Sequence, residues 1–226
     1  MSRISMDVIR TTAAYSMGEA AHYLNLPPTT LRAWCLGQRG FRAVIRLDGK
    51  SPWALSFLNL VEAHVLAAIR REHEVPLPAV RKALKYVQDH LDLNRPLVQA
   101  AFETDGVSLF VERLGHLINA SKEGKTAMRE ILQAHLRRIE HDGKGLPIKL
   151  FLFTRRDSTA QAPSPIVVDP RISFGRPVLV GRSVPTAVLA DRFKAGDSLR
   201  ELAEDYEAPP EAIEVAVRFE VDRLAA

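Results

Sequence analysis

The chain has 226 residues, 46% of them apolar and 26% charged, enough to build one large domain or two to three small ones. The lone Cys35 excludes a disulfide framework and zinc-finger spacing, and neither a membrane-spanning run nor a secretory leader is present, so a cytoplasmic protein is expected. The net charge of +4 is uneven: residues 1–100 carry thirteen Lys and Arg against eight Asp and Glu, residues 161–226 eight against eleven, which points a basic head towards nucleic acid and an acidic tail towards protein.

The first element is organised by Ser16 and Glu19, which have the S-x-x-E spacing of a capping box. Met17, Ala20, Ala21 and Leu24 follow at helical spacing, which predicts a short helix to about Tyr23. Asn25 and Leu26 make a turn, and Pro27-Pro28 restarts the chain. A second helix, from Thr29 to about Leu36, buries Leu31 and Trp34 and turns Thr29, Thr30 and Arg32 outward. Two short helices on a tight turn make a helix-turn-helix, whose second helix fits the major groove of DNA. Pro27 stands where a capping Ser or Thr is usual. Cys35, beside Trp34, reads as a small packing residue, with redox sensing as the alternative.

Asp48-Gly49 is a two-residue hairpin signal between apolar runs, so a β-hairpin wing is expected after the second helix. Arg39, Arg42, Arg46 and Lys50 give it the charge that phosphate contact requires. Ser16-Met-Gly-Glu-Ala-Ala, Leu31-Arg-Ala-Trp and the basic wing together resemble the MerR-like winged-helix family. The DNA-contact candidates are Ser16, Thr29, Thr30 and Arg32 for the groove, with Arg39, Arg42, Arg46 and Lys50 for phosphate.

Leu58, Val61, Val65 and Ile69 predict a well-buried helix, in which His64 is a core or interface histidine. After Pro76 to Pro78, Val80, Ala83, Leu84, Val87 and Leu91 mark another, with Arg81, Lys82 and Lys85 on a solvated face. Val107–Glu112 and His116–Asn119 read as strands of a hairpin around Leu114-Gly115. Thr126 to about Ile139 reads as a helix, on which His135 and His141 leave opposite faces and form no metal pair. The apolar strand at residues 148–153 needs cover, either from that hairpin or across a dimer interface. Residues 154–165 are polar and unperiodic, the best linker in the chain.

Beyond the linker, two strand-like pieces flank Gly175-Arg-Pro177, and three short helices follow: about Thr186 to Lys194, Ser198 to Tyr206 and Pro210 to Leu224. At an offset of 182, Ser16, Glu19, Ala21, Pro27 and Pro28 recur as Ser198, Glu201, Ala203, Pro209 and Pro210. This second helix-turn-helix shape carries eight carboxylates against three arginines over residues 198–226, which phosphate would repel. The spacing of Ile172, Gly175, Pro177, Gly181, Arg182 and Pro185, then Ser198-x-x-Glu-Leu-Ala, resembles the small helical domain of bacterial type II antitoxins. With the MerR-like head, the whole chain is similar to long VapB-type antitoxins.

That resemblance implies operator binding and neutralisation of a PIN-like ribonuclease toxin by a cytoplasmic homodimer. Arg176 and Arg182 are its toxin-contact candidates, facing the carboxylates of such an active site. No phosphate-loop, dinucleotide, zincin or nucleophile-elbow motif is present, so neither an enzyme nor a cofactor or metal is expected. The alternative is a stand-alone MerR-like regulator answering to a small ligand; a third class is an adaptor without DNA binding. The expected fold is α+β and mainly helical: a winged head with two following helices at 1–96, a middle α/β segment for dimerisation at 97–156 and a toxin-binding helical domain at 166–226.

Overall fold

The computed structural model describes residues 5–38, 42–49, 53–71, 75–153 and 164–221, which form a mainly helical α+β fold. Arg39, Lys50 and most of the expected linker lie outside the described residues. The chain divides into two compact units, Met1–Ile148 and Lys149–Ala226.

The first unit is built on α4 (Phe57–Arg71), which is apolar almost all round and therefore has to be enclosed. Leu60, Val61, Ala63, Val65 and Leu66 are fully buried. Around it pack α1 (Met6–Thr11) and α7 (Lys122–Leu136), together with a two-stranded antiparallel ladder of β1 (Ala13–Ser16) and β2 (Ala54–Ser56). His64 Nε2–H donates to the carbonyl of His135 across the α4–α7 contact, at 3.0 Å, and His64 is a core histidine. The helix α5 (Leu77–Leu91) starts on Pro76 and packs against α6 (Val107–Ile118).

That α6 is one helix corrects the expected hairpin at 107–119. Val107, Phe110, Val111 and Leu114 are spaced i, i+3, i+4, i+7 and all buried; the β-branched and aromatic side chains imitated a strand. Gly115 is no turn but part of the last helical turn, which ends at left-handed Asn119. The next helix, α7, begins before the expected Thr126 because Ser121 caps it, accepting from Gly124 N–H at 3.1 Å. It also stops before Ile139, so His141 lies on β3 (Ile139–His141), not on the helix of His135. A turn at Asp142–Leu146 leads from β3 into β4 (Pro147–Phe151).

The expected wing lies partly outside the described residues, which leave out 39–41 and 50–52. Residues 42–49, which are described, contain no strand. Backbone and side-chain bonds to distant residues hold the segment. Val44 and Ile45 N–H both donate to the carbonyl of Trp34, at 2.8 and 3.0 Å, and Ile45 is buried. Asp48 accepts two bonds from Arg95 Nη1, at 2.7 and 2.9 Å, and one from Ser56 Oγ at 2.5 Å. Arg95 grips Glu62 on its other edge, Nε to Oε1 at 3.0 Å and Nη2 to Oε2 at 2.5 Å. Asn59, fully buried, donates to the Arg46 carbonyl at 2.8 Å and accepts from Asp48 N–H at 3.2 Å. Burial pushes the Glu62 carboxyl up from its ordinary range, and the bonds from Arg95 oppose that.

In the second unit, β4 pairs antiparallel with β5 (Ile166–Val168), Leu150 opposite Val168 and Phe151 opposite Val167. The apolar strand thus takes its cover from β5 and not from the expected hairpin. β5 pairs in turn with β6 (Val178–Leu179). Three helices follow, α8 (Thr186–Ala195), α9 (Leu199–Asp205) and α10 (Pro210–Val221), with α10 packed on both others. Glu220 is buried in α10 with its carboxylate on the Thr186 hydroxyl.

The clasp around Arg95 yields a stability prediction. Arg95→Met leaves Glu62 buried without its partner, which costs about 3–5 kcal/mol of unfolding free energy. Adding Glu62→Gln removes the stranded charge and should restore part of that in urea unfolding. Equal stability of wild type and Arg95→Met would show that the clasp holds nothing.

Candidate nucleic-acid interface

The helices α2 (Met17–Tyr23) and α3 (Pro28–Leu36) form the helix-turn-helix read from the sequence. Ser16 Oγ accepts from Glu19 N–H at 3.2 Å, and Ser16 N–H donates to Glu19 Oε2 at 2.9 Å, so both free donors are satisfied locally. Asn25 is left-handed with φ 50, and Leu26 N–H closes the turn on the Ala21 carbonyl at 2.8 Å. Pro27 starts α3 without a side-chain cap. Leu31 and Trp34 face inward, fully buried; Thr29 and Arg32 are exposed and Thr30 half-buried.

Each candidate DNA contact can now be placed. Ser16 is exposed, but its hydroxyl is occupied by the capping box. Arg32 lies over the ring of Trp53, 4.8 Å from its centroid, and that ring is itself 54% exposed. A guanidinium stacked on an indole keeps its fork of donors pointing along the ring plane. Trp53 had no signature in the sequence beyond being an aromatic after a basic stretch. Arg42 and Arg46 are both exposed, and the Arg42 carbonyl accepts from Arg81 Nη2. Thus Arg81, read as a solvated residue of α5, in fact ties α5 to the segment after the recognition helix. Arg46, Arg81, Lys85 and Arg95 line one cleft of about 750 Å³ in this unit. Among the described residues, no three His, Cys, Asp or Glu gather as a metal site.

The second unit repeats the cap and turn bonds of the motif. Ser198 and Glu201 form the same capping box, at 3.2 and 2.8 Å. Glu207 is left-handed, φ 47, where the head has Asn25, and Ala208 N–H bonds the Ala203 carbonyl at 3.0 Å. Ile213 and Ala216 are fully buried in the places of Leu31 and Trp34. What differs is the outer face. Thr29, Thr30 and Arg32 become Glu211, Ala212 and Glu214. The same backbone thus presents two carboxylates where the head presents two hydroxyls and a guanidinium.

The two other candidate residues, Arg176 and Arg182, lie in the second unit on the connections flanking β6 and are exposed. Arg182 donates through Nε to the Glu207 carbonyl at 2.9 Å, so it also secures the turn between α9 and α10.

Residues 166–219 match a family model described as "Protein of unknown function (DUF433)". The chain is 27% identical to "Putative antitoxin VapB45" of Mycobacterium tuberculosis, over 94% of each. It is 25% identical to "Uncharacterized protein Rv2308" of the same organism, over 94% of this chain and 93% of that one. The crystal structure of Rv2018 from Mycobacterium tuberculosis shares the fold, with a TM-score of 0.68 at 24% identity, over 91% of this chain and 98% of that one. Among the described residues, no helix is long and apolar enough to cross a membrane.

Cys35 follows Trp34 on α3 and is 5% exposed. Burial, with a smaller contribution from the Glu62 charge, pushes its thiol up to about 12, so almost no thiolate exists near neutral pH. Iodoacetamide at about pH 8 should therefore leave the native protein unlabelled while alkylating the urea-unfolded chain fully. Labelling of the native protein at the unfolded rate, read by mass spectrometry, would reopen the redox reading.

Proposed function

We propose that the protein is the antitoxin of a type II toxin–antitoxin pair, a non-enzymatic regulator that represses its own operon and neutralises a PIN-like ribonuclease. The observation that carries this reading is the repeated helix-turn-helix with opposite outer charge, basic and hydroxylated in the head, acidic in the tail. The likeness to a protein named as an antitoxin, over 94% of both chains, supports it.

In the head, α3 enters the major groove with Thr29, Thr30 and Arg32 towards base edges, Ser16 at the groove margin, and Arg39, Arg42, Arg46 and Lys50 on phosphates. A homodimer on a two-fold operator supplies the affinity that one short helix lacks. In the tail, residues 166–226 hold the toxin, with Arg176 and Arg182 directed at its active-site carboxylates. The carboxylates of α9 and α10 keep this copy of the motif off DNA. A second reading, a regulator answering to a small ligand, is favoured by the cleft of about 750 Å³ beside Arg46. Co-purification separates them: a bound small protein supports the antitoxin, a bound metabolite the regulator.

Fluorescence anisotropy on the chain's own upstream DNA tests the head. Arg32→Ala should cost about 1–3 kcal/mol and flatten the preference for operator over unrelated sequence. Replacing Arg42 and Arg46 together should weaken all sequences equally and lower the salt slope by about one for each arginine removed. An unchanged slope in that double variant would remove phosphate contact from the account.

A further inference from the structure

In the second unit, the connection between β5 and β6 displays an aromatic ring at a backbone cost. Ser173, Phe174 and Gly175 are left-handed in succession, with φ of 48, 56 and 77, and Phe174 is 93% exposed. Glycine adopts that region freely, whereas a residue with a Cβ is strained there, and an aromatic ring in water forgoes its burial. The turn is firmly held from below. The Asp169 carboxylate is buried and accepts from Arg171 N–H at 2.9 Å, Nε at 2.8 Å and Nη2 at 2.6 Å. Ile172 N–H bonds the Asp169 carbonyl at 2.9 Å, and Gly175 N–H bonds the Ile172 carbonyl at 2.8 Å. Such strain persists only where surrounding structure fixes it, and it gathers at binding sites.

We infer that Phe174 is the anchor by which the second unit grips its protein partner, entering an apolar pocket rimmed by carboxylates that Arg176 and Arg182 meet. This rests on the antitoxin reading, in which the partner is the neutralised ribonuclease. A rigid, pre-oriented aromatic flanked by arginines is the composition that dominates protein interfaces. Charge selects the occupant. Nucleic acid is repelled by the carboxylates of α9 and α10 in the same unit, and a two-fold contact centred on this connection would set arginine against arginine. A partner with an acidic active site fits Arg176 and Arg182.

The test uses the full chain co-expressed with the product of its adjacent reading frame, comparing wild type with Phe174→Gly and Phe174→Asn. Both substitutions suit left-handed backbone, so the melting temperature should stay equal or rise. Affinity for the co-expressed protein should nevertheless fall by about 30-fold or more. Wild-type affinity in both variants, or a lowered melting temperature with affinity intact, overturns the anchor while leaving the antitoxin reading standing. Loss of self-association by sedimentation with partner affinity unchanged assigns Phe174 to a second copy and overturns it too. Failure of the wild-type chain to bind the adjacent product sinks the antitoxin reading itself, and the anchor with it.

Discussion

Arg95 stands between two carboxylates, Asp48 on one edge and Glu62 on the other, and the geometry of the head depends on that grip. The described segment 42–49 has no strand ladder to hold it. Two N–H bonds to the Trp34 carbonyl and the buried Ile45 fix its first half against α3; the ion cluster with Asn59 and Ser56 fixes its second half against the start of α4. Arg42 and Arg46 take their positions from those two anchorages. An ion cluster of this kind adds little net stability over apolar packing, but breaking one partner is expensive, so it specifies position more than it strengthens the core.

What the sequence made legible was local. The capping boxes Ser16/Glu19 and Ser198/Glu201, the proline restarts and the turn at Asn25-Leu26 each need only neighbours within a few positions, and each appears in the structure. What it hid was set by distant partners. The grip of Arg95 on the Asp48 carboxylate, 47 residues away, has no local signature. Val107 to Ile118 has β-branched composition, yet its helical period wins because α5 and α7 pack against it. Within the candidate sites, the outward set on α3 could be read from helical spacing. Trp53 under Arg32 and the exposed Phe174 could not, because exposure of an aromatic is decided by the fold around it.

The two helix-turn-helix units show how little sequence separates different surfaces on one backbone. Their caps and turn bonds correspond one to one, and their inward positions are buried in both, though with different side chains, Trp34 against Ala216 among them. Their outward positions differ in sign of charge, and in the head the stacked Arg32 adds orientation to charge. In the tail the preceding helix α8 packs on α10, and the strained turn exposes Phe174. On this account shape is shared, and a few outward side chains decide the partner.

The most direct measurement transplants the outward set of α10 onto α3 in the full chain, as Thr29→Glu, Thr30→Ala and Arg32→Glu, and follows anisotropy of labelled upstream DNA alongside thermal unfolding. None of the three side chains is fully buried and the start of α3 has no side-chain cap to lose, so stability should move by no more than about 1 kcal/mol. DNA binding should be lost at salt concentrations where the wild type binds. Retained wild-type affinity in the folded variant would contradict the account, because the face of α3 would then have no part in DNA recognition.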